Sequence, residues 1–434
     1  MDTERTVVPA ARAALSAACA SLREADPSSD AVAGVPPSFV ASPASTDEAS
    51  ALLRAAAEYG LSVVPRGAGT GLGWSQPPSS ADLVVDVRQM DRVLEHAAGD
   101  LVARVQAGAT MGYLASVLAS AGQQLAVDAP ADATVGGVVA TGTAGPRRFR
   151  YGAPRDLLIG ITVVRADGVI AHAGGKVVKN VAGYDLGKLF SGSQGTLGLI
   201  TEATFRLHPR PAAVSWVTGG FGPSALASAA SAVASAARSA LVPSAVELLW
   251  TGPLRVGVLL EGTPSGVDDR AKQMAELLAA AGATPVAAQS ETPFPWWEPG
   301  PGPGTVARVT FWVAQLGEVL EALAAAGASA GIRPAVGGPA GAGVLYAQLD
   351  RAVGDDTAAQ FVRGLRDRLE GVFAGSADGS GLVRGGMAVL AAPERVRAAA
   401  GPDGPLPGLD LMRAVKDQFD PGHRMFPGRL PGER

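Results

Sequence analysis

Between Val63 and Gly73 the chain reads VVPRGAGTGLG: a β-branched pair stops at Pro65, and glycine then takes every second position from Gly67 to Gly73. Such a loop leaves backbone N–H groups uncovered. With no Cβ atoms in the way, several of them can close on one anionic group such as a pyrophosphate. Two better-known phosphate loops are excluded, because Leu72 and Trp74 stand where GxGxxG needs glycine and GxxxxGK[ST] occurs nowhere. A tight structural turn is the competing reading of this segment taken alone. A second stretch, Asp128 to Gly142, places Gly136-Gly137 and Thr141-Gly142 close together and is followed by Arg150-Tyr151-Gly152 and Arg155-Asp156.

Few other side chains are grouped for chemistry. The four histidines, His96, His172, His208 and His423, never recur at the spacing of HExxH or of a zinc finger, so no metal site is legible. Cys19 is the single cysteine, which rules out an intramolecular disulfide and fits a reducing compartment. The 36 basic and 40 acidic side chains are spread along the chain and leave no electrostatic footprint for nucleic acid or an anionic bilayer. Asp2 and Glu4 stand where a signal peptide wants positive charge, and no stretch approaches about 18 uninterrupted apolar residues. The expectation is a cytoplasmic protein without a membrane span.

These segments need a scaffold to hold them. A chain of 434 residues is too long for one compact core, and 47% hydrophobic residues supply enough apolar material for two or three domains. Residues 7 to 25 read as a helix and 26 to 38 as a linker. Thr46-Asp47-Glu48 open a helix over ALLRAAAEYG, with Gly60 suited to a left-handed cap. LSVVP, DLVVDV, LVARVQAG and LLIGITVV read as strands. After Pro211, WVTGGF, RVGVLLEG, VARVTFWVAQL and GVLYAQLD alternate with Ala-rich helical stretches, which predicts an antiparallel sheet backed by helices. The prolines and glycines of residues 291 to 305 predict a loop.

Taken in order, PRGAGTGLG, TVGGVVATG, RYGAPRD and GSQGTLGLITEATFRLHP resemble the signature blocks of the flavoenzymes typified by vanillyl-alcohol oxidase and p-cresol methylhydroxylase. The resemblance implies an α+β fold, a two-lobed FAD-binding domain of the p-cresol methylhydroxylase (PCMH) type followed by an antiparallel-sheet cap backed by helices. The domains expected are an N-terminal helix and linker over 1–35, the FAD-binding domain over 36–212, the cap over 213–405, and a C-terminal segment over 406–434 that returns to the FAD domain. In the family the first loop wraps the FAD pyrophosphate, the Gly-Gly and Thr-Gly stretch lies along the ribityl chain and isoalloxazine, and the Gly-Leu-Ile block closes over the adenosine. Carried over residue by residue, this implicates Pro65, Arg66, Gly67, Ala68, Gly69, Thr70, Gly71, Leu72, Pro130, Thr134, Gly136, Gly137, Thr141, Gly142, Arg155, Gly198 and Ile200. Relatives that attach FAD covalently do so through a histidine in the first loop, or a histidine or cysteine in the second. Neither loop has one here, which implies noncovalent FAD.

Residues 174 to 192, GGKVVKNVAGYDLGKLFSG, narrow the resemblance. Asn180 is the only asparagine of the chain, suited either to a specific amide hydrogen bond or to a left-handed turn. Lys179 to Asp185 resembles the KNVAGYD block of the small FAD-binding subunit of bacterial glycolate oxidase, with Lys176, Lys179, Tyr184 and Asp185 as its polar groups. Tyr184, Lys179 and Asn180 are the catalytic candidates. The tail, with Lys416, Phe419-Asp420-Pro421 and Phe426-Pro427-Gly428-Arg429, resembles a terminal K-x-x-FDP-x-x-x-x-NPGR block in which Phe426 replaces asparagine. Trp296-Trp297 resembles a tryptophan-containing stretch of the same small subunit. Catalytic D-2-hydroxy-acid dehydrogenases of the superfamily carry a Gly-Asp/Glu-Gly-Asn-x-His block in the cap, and this cap has neither histidine nor asparagine. Arginines such as Arg308, Arg333 and Arg384 are left to meet a carboxylate. The resemblance therefore implies a flavin-carrying subunit beside a catalytic flavoprotein and an iron–sulfur subunit in a complex that oxidises glycolate or a related 2-hydroxy acid. A stand-alone FAD oxidase or dehydrogenase of an alcohol or sugar, and a non-catalytic scaffold, are the alternatives.

Overall fold

Ser45, in an extended conformation, opens the helix Thr46–Glu58 by accepting the Glu48 N–H at 3.1 Å, and Asp47 and Glu48 lie in the first turn, where a helix favours negative charge. The Glu48 carboxylate accepts in turn the N–H groups of Ala20 and Ala44. This has a consequence upstream. The helix expected over residues 7 to 25 ends at Ala18, and Leu22–Glu24 instead forms an edge strand paired with Phe39–Ala41. Tertiary hydrogen bonding here overrides a helical pattern.

The computed structural model describes residues 9–175, 185–289, 294, 304–374, 385–400 and 408–430. By its contacts the chain divides into two units. In the first, a four-stranded sheet runs in the order Leu22–Glu24, Phe39–Ala41, Leu83–Asp86, Val63–Arg66, parallel except at its first pair. A five-stranded antiparallel sheet runs Val93–Ala97, Val102–Gln106, Leu199–Arg206, Leu158–Val164, Ile170–Gly174. One hydrophobic core joins them, with Leu52 and Leu53 of the helix packed among Val63 and Leu83 of the first sheet and Val105, Ile161 and Phe205 of the second. These are the two lobes.

The second unit holds an eight-stranded antiparallel sheet, ordered Val286–Gln289, Ala213–Phe221, Leu254–Gly262, Ala245–Trp250, Ala335–Gly338, Val344–Leu349, Thr305–Phe311, Gly385–Ala391. Val256, Val258, Val309 and Leu345 face the helices Leu226–Arg238, Pro264–Ala280, Leu316–Ser329 and Asp355–Ala374 in a single core. The α+β architecture with a helix-backed antiparallel sheet is therefore present. Gly145–Tyr151 belongs to the second unit. There Phe149 lies against Gly341, Arg150 donates to Ser244 Oγ and Tyr151 donates to Glu261 Oε2 at 2.9 Å.

The C-terminal residues from Gly408 belong to the first unit. Along the helix Leu409–Phe419 the only buried residue is Lys416, whose Nζ donates to Thr196 O, Met425 O and Asp420 Oδ2 at 2.7–2.8 Å. All three ammonium protons are satisfied inside the protein. Beyond it, Val63 donates to Arg424 O and Phe426 donates to Val63 O, so the tail forms a parallel bridge beside the strand that feeds the glycine loop. Removing one member of a fully buried ion pair strands the other charge. Lys416→Ala should accordingly lower unfolding free energy by about 3–5 kcal/mol in urea titration, and a loss under 1 kcal/mol would show the pair to be dispensable.

Candidate cofactor site

Pro65 and Arg66 close the strand Val63–Arg66, and the chain then turns sharply, with Gly69 at φ +85°. Within the loop the Leu72 N–H donates to Gly69 O and the Trp74 N–H to Gly71 O. Among the described residues, the N–H groups of Gly67, Ala68, Gly69, Thr70 and Gly71 make no hydrogen bond within the chain. Five consecutive open donors in a half-buried loop are the arrangement an anionic group requires.

The second segment closes on the first. Pro130 O accepts from Ala133 N in the turn that precedes Thr134, and Thr134 caps the helix Val135–Thr141 by accepting the Gly137 N–H at 3.3 Å. A Cβ on Gly67 would lie 2.0 Å from Thr134 Oγ1, one on Gly71 would lie 2.9 Å from Thr141 Cγ2, and one on Gly137 would lie 3.0 Å from Thr134 Oγ1. Glycine at 67 and 71 is thus what lets the two segments touch. The helix itself offers little to an anion, because Val135 and Gly136 donate to Ala109 O and Ala107 O and its third amide goes to Thr134. Gly142, left-handed at φ +66°, ends it against Gly192.

The remaining sequence candidates fall elsewhere. The Arg66 guanidinium is engaged by Asp30 at 3.1 Å and Asp86 at 3.2 Å, which leaves its backbone rather than its charge for a ligand. Arg23 beside Asp30 holds that carboxyl well below the usual carboxylate range. Burial opposes ionisation of Asp86, yet Arg88 and Arg66 keep its carboxyl low as well. Arg155 is exposed on the short helix Pro154–Leu157. Gly198 and Ile200 are buried at the start of Leu199–Arg206, where a Cβ on Gly198 would meet Val164 O at 2.8 Å. Backbone hydrogen bonds tie that strand to the second segment through Ala107, which donates to Thr201 O and accepts from Gly136 N. The candidates Lys179, Asn180 and Tyr184, with Lys176, Trp296-Trp297 and Arg384, lie outside the described residues. Asp185 caps the helix Leu186–Phe190 and pairs with Lys188.

One residue that sequence reasoning quoted only as part of the tail proves central. Arg429, buried, donates from Nη1 to Leu72 O and Gln76 O, from Nη2 to Gly71 O and from Nε to Gln194 Oε1, all at 3.0–3.1 Å. Its guanidinium stacks on the Phe426 ring at 4.5 Å. The Phe426 that replaces the family's asparagine supplies that platform, in a left-handed conformation at φ +46°.

A row of open amides and glycines where a Cβ would close the gap fit the pyrophosphate of a dinucleotide. Residues 37–174 match the family described as FAD binding domain, so the chain carries an FAD-binding domain. The glycolate oxidase subunit GlcD of Bacillus subtilis is 34% identical over 177 residues, 40% of this chain and 38% of that protein. A D-lactate dehydrogenase of Archaeoglobus fulgidus is 35% identical over 39% of each chain, and a D-2-hydroxyglutarate dehydrogenase of Xanthomonas citri is 34% identical over 40% of this chain and 38% of that one. The chain thus spans under two fifths of the length of these curated relatives. Among solved structures, p-cresol methylhydroxylase with substrate bound aligns at TM-score 0.71 over 97% of this chain and 96% of that one, at 17% identity. Xylooligosaccharide oxidase from Myceliophthora thermophila aligns at 0.69 over 98% and 99%, at 19% identity. These last two establish the fold, which is of the PCMH type.

Gly67→Ala should abolish flavin retention, read as the flavin-to-protein absorbance ratio after gel filtration, because the new Cβ collides with Thr134 Oγ1. Adding Thr134→Ala removes that oxygen and should recover part of the flavin. Full occupancy in Gly67→Ala alone would mean that the loop yields without consequence.

Proposed function

We propose that this chain is the noncovalent FAD-carrying component of an oxidoreductase complex that oxidises glycolate or a related D-2-hydroxy acid, working beside a catalytic flavoprotein and an iron–sulfur subunit. The observation that carries the reading is the loop of five open amides held against Thr134 and Thr141 inside a segment that matches an FAD binding domain. The relationship to a glycolate oxidase subunit and to D-2-hydroxy-acid dehydrogenases supports the substrate class. In this reading Pro65 to Leu72 with Pro130, Thr134, Gly136, Gly137, Thr141 and Gly142 hold the cofactor, and Arg155, Gly198 and Ile200 belong to its outer contacts. Bound FAD supplies the two-electron acceptor.

The second unit supports a carrier rather than a self-sufficient dehydrogenase. Oxidising a 2-hydroxy acid needs a base for the hydroxyl proton and a cation for the carboxylate. Residues 213–405 contain no histidine. Burial pushes the Tyr346 phenol up from its ordinary value, against the opposing pull of Arg308 and Arg148 and with the buried Glu247 adding to the rise. Burial and then Glu261 push Tyr151 up as well. A phenol raised above its ordinary range stays protonated at neutral pH, so both groups are donors and poor bases. Arg308, directly opposite Tyr346 across paired strands, makes no hydrogen bond or ion pair among the described residues and is suited to bind an anion. Arg333, by contrast, is exposed at the turn before Ala335–Gly338.

Two measurements test the proposal. Acid precipitation should release all the yellow colour into the supernatant, whereas flavin that stays with the polypeptide would show a covalent link. Anaerobic stopped-flow mixing of the isolated FAD-loaded chain with glycolate or D-lactate should leave the flavin absorbance unchanged on the timescale of turnover. Rapid bleaching by either acid would defeat the subunit reading and establish a stand-alone dehydrogenase.

A further inference from the structure

The glycine loop offers five open amides, yet a flexible loop does not bind well merely because it has donors. Each residue ordered at the moment of binding costs conformational entropy, so affinity depends on the loop being held beforehand. Its first end is fixed by the strand Val63–Arg66, which pairs with Leu83–Asp86. Its second end, Gly71 to Gln76, has no strand. What holds that end is Arg429, which takes the carbonyls of Gly71, Leu72 and Gln76 with two nitrogens of one planar group. The third nitrogen, Nε, donates to Gln194 Oε1, and the Gln194 N–H donates to Ala140 O in the second segment at 2.7 Å. One guanidinium thereby joins the glycine loop to the helix that bears Gly136 and Gly137.

The guanidinium is held in its turn. Phe426 lies beneath it, Pro427 O accepts the Ser79 N–H at 2.8 Å, and Gly428, at φ +80°, passes so close to Ser79 that a Cβ would lie 3.0 Å from its nitrogen. The Lys416 ammonium anchors the same tail to Thr196 O. Lysine could not replace Arg429. Its ammonium is a compact group on a flexible stem, and it lacks the planar fork that reaches three carbonyls and Gln194 from one stacked position.

We infer that Arg429 is a positioning residue for FAD: from the C-terminal tail it pre-organises the second end of the glycine loop and couples that loop to the Val135–Thr141 helix. The inference rests on the cofactor-site reading given above. FAD affinity of the wild-type chain, Arg429→Lys, Arg429→Ala and Gly69→Asp should be measured by flavin fluorescence, alongside the melting temperature of each apoprotein. Arg429→Lys is expected to weaken FAD binding about tenfold to a hundredfold, the worth of one or two charge-assisted hydrogen bonds, with an apoprotein melting temperature close to wild type. Methylguanidinium, and not methylammonium, should restore affinity to Arg429→Ala. Wild-type affinity in Arg429→Lys would overturn the inference. So would a loss of affinity matched by an equal loss of apoprotein stability and unmoved by methylguanidinium, because Arg429 would then be structural only. If Gly69→Asp retained FAD as the wild type does, the loop reading itself would fall and the inference with it. Should Arg429→Ala fail to fold, Arg429→Lys decides alone.

Discussion

The contact on which the first unit's site depends is the approach of Gly67 to Thr134, so close that a Cβ would overlap the threonine oxygen at 2.0 Å. Only an absent side chain permits it. The approach fixes the distance between two segments separated in sequence, and it leaves the amides of Gly67 to Gly71 turned away from any protein acceptor among the described residues. Open amides are costly when buried and useful when an anion fills them. The half-buried state of the loop fits the second case. The arginine that sequence would assign to the anion, Arg66, is committed to Asp30 and Asp86 beneath the loop. In the cofactor site proposed above, charge neutralisation would fall to peptide dipoles, with the nearby cations serving the loop's geometry.

The same division of labour governs the tail. Two buried cations, Lys416 and Arg429, donate to backbone carbonyls of Thr196, Met425, Gly71, Leu72 and Gln76. A carbonyl facing a cation is a strong, directional tie. The C-terminal segment therefore stabilises connections that have no regular secondary structure of their own, which explains why it joins the first unit after the whole of the second has intervened in sequence.

Much of this was legible in the sequence where local physics decides the outcome. Alternating glycines after Pro65, the β-branched runs and the Thr46 helix start all prescribe their own conformation, and Val63–Arg66, Leu83–Asp86 and Thr46–Glu58 form as that chemistry predicts. The resemblance supplied the two lobes, the helix-backed sheet and FAD. Contacts that depend on distant partners were illegible. Nothing near Leu22 announces that Glu48 will draw the preceding chain out of helix. Nothing in RFRY tells which core receives Phe149. Asp30 sits in a stretch that reads as linker, yet it is 4% exposed and binds both Arg23 and Arg66. Arg429 could be quoted as a matching letter in a terminal block, while its role required knowing that Gly71, Leu72, Gln76 and Gln194 converge on it.

The second unit poses the complementary problem. Alternation along its sheet sends Val309 and Leu345 to the helix-covered core and sends their neighbours Arg308 and Tyr346 to the opposite face. Arg308 is half-buried and makes no hydrogen bond or ion pair among the described residues. An anion bound on this face would give Arg308 such a partner. An arginine and a protonated phenol are poor proton acceptors, and the acidic group beside them is the buried Glu247, whose charge adds to the rise of the Tyr346 phenol. In the reading proposed above, binding without a histidine base is what would separate this unit from a self-sufficient catalyst.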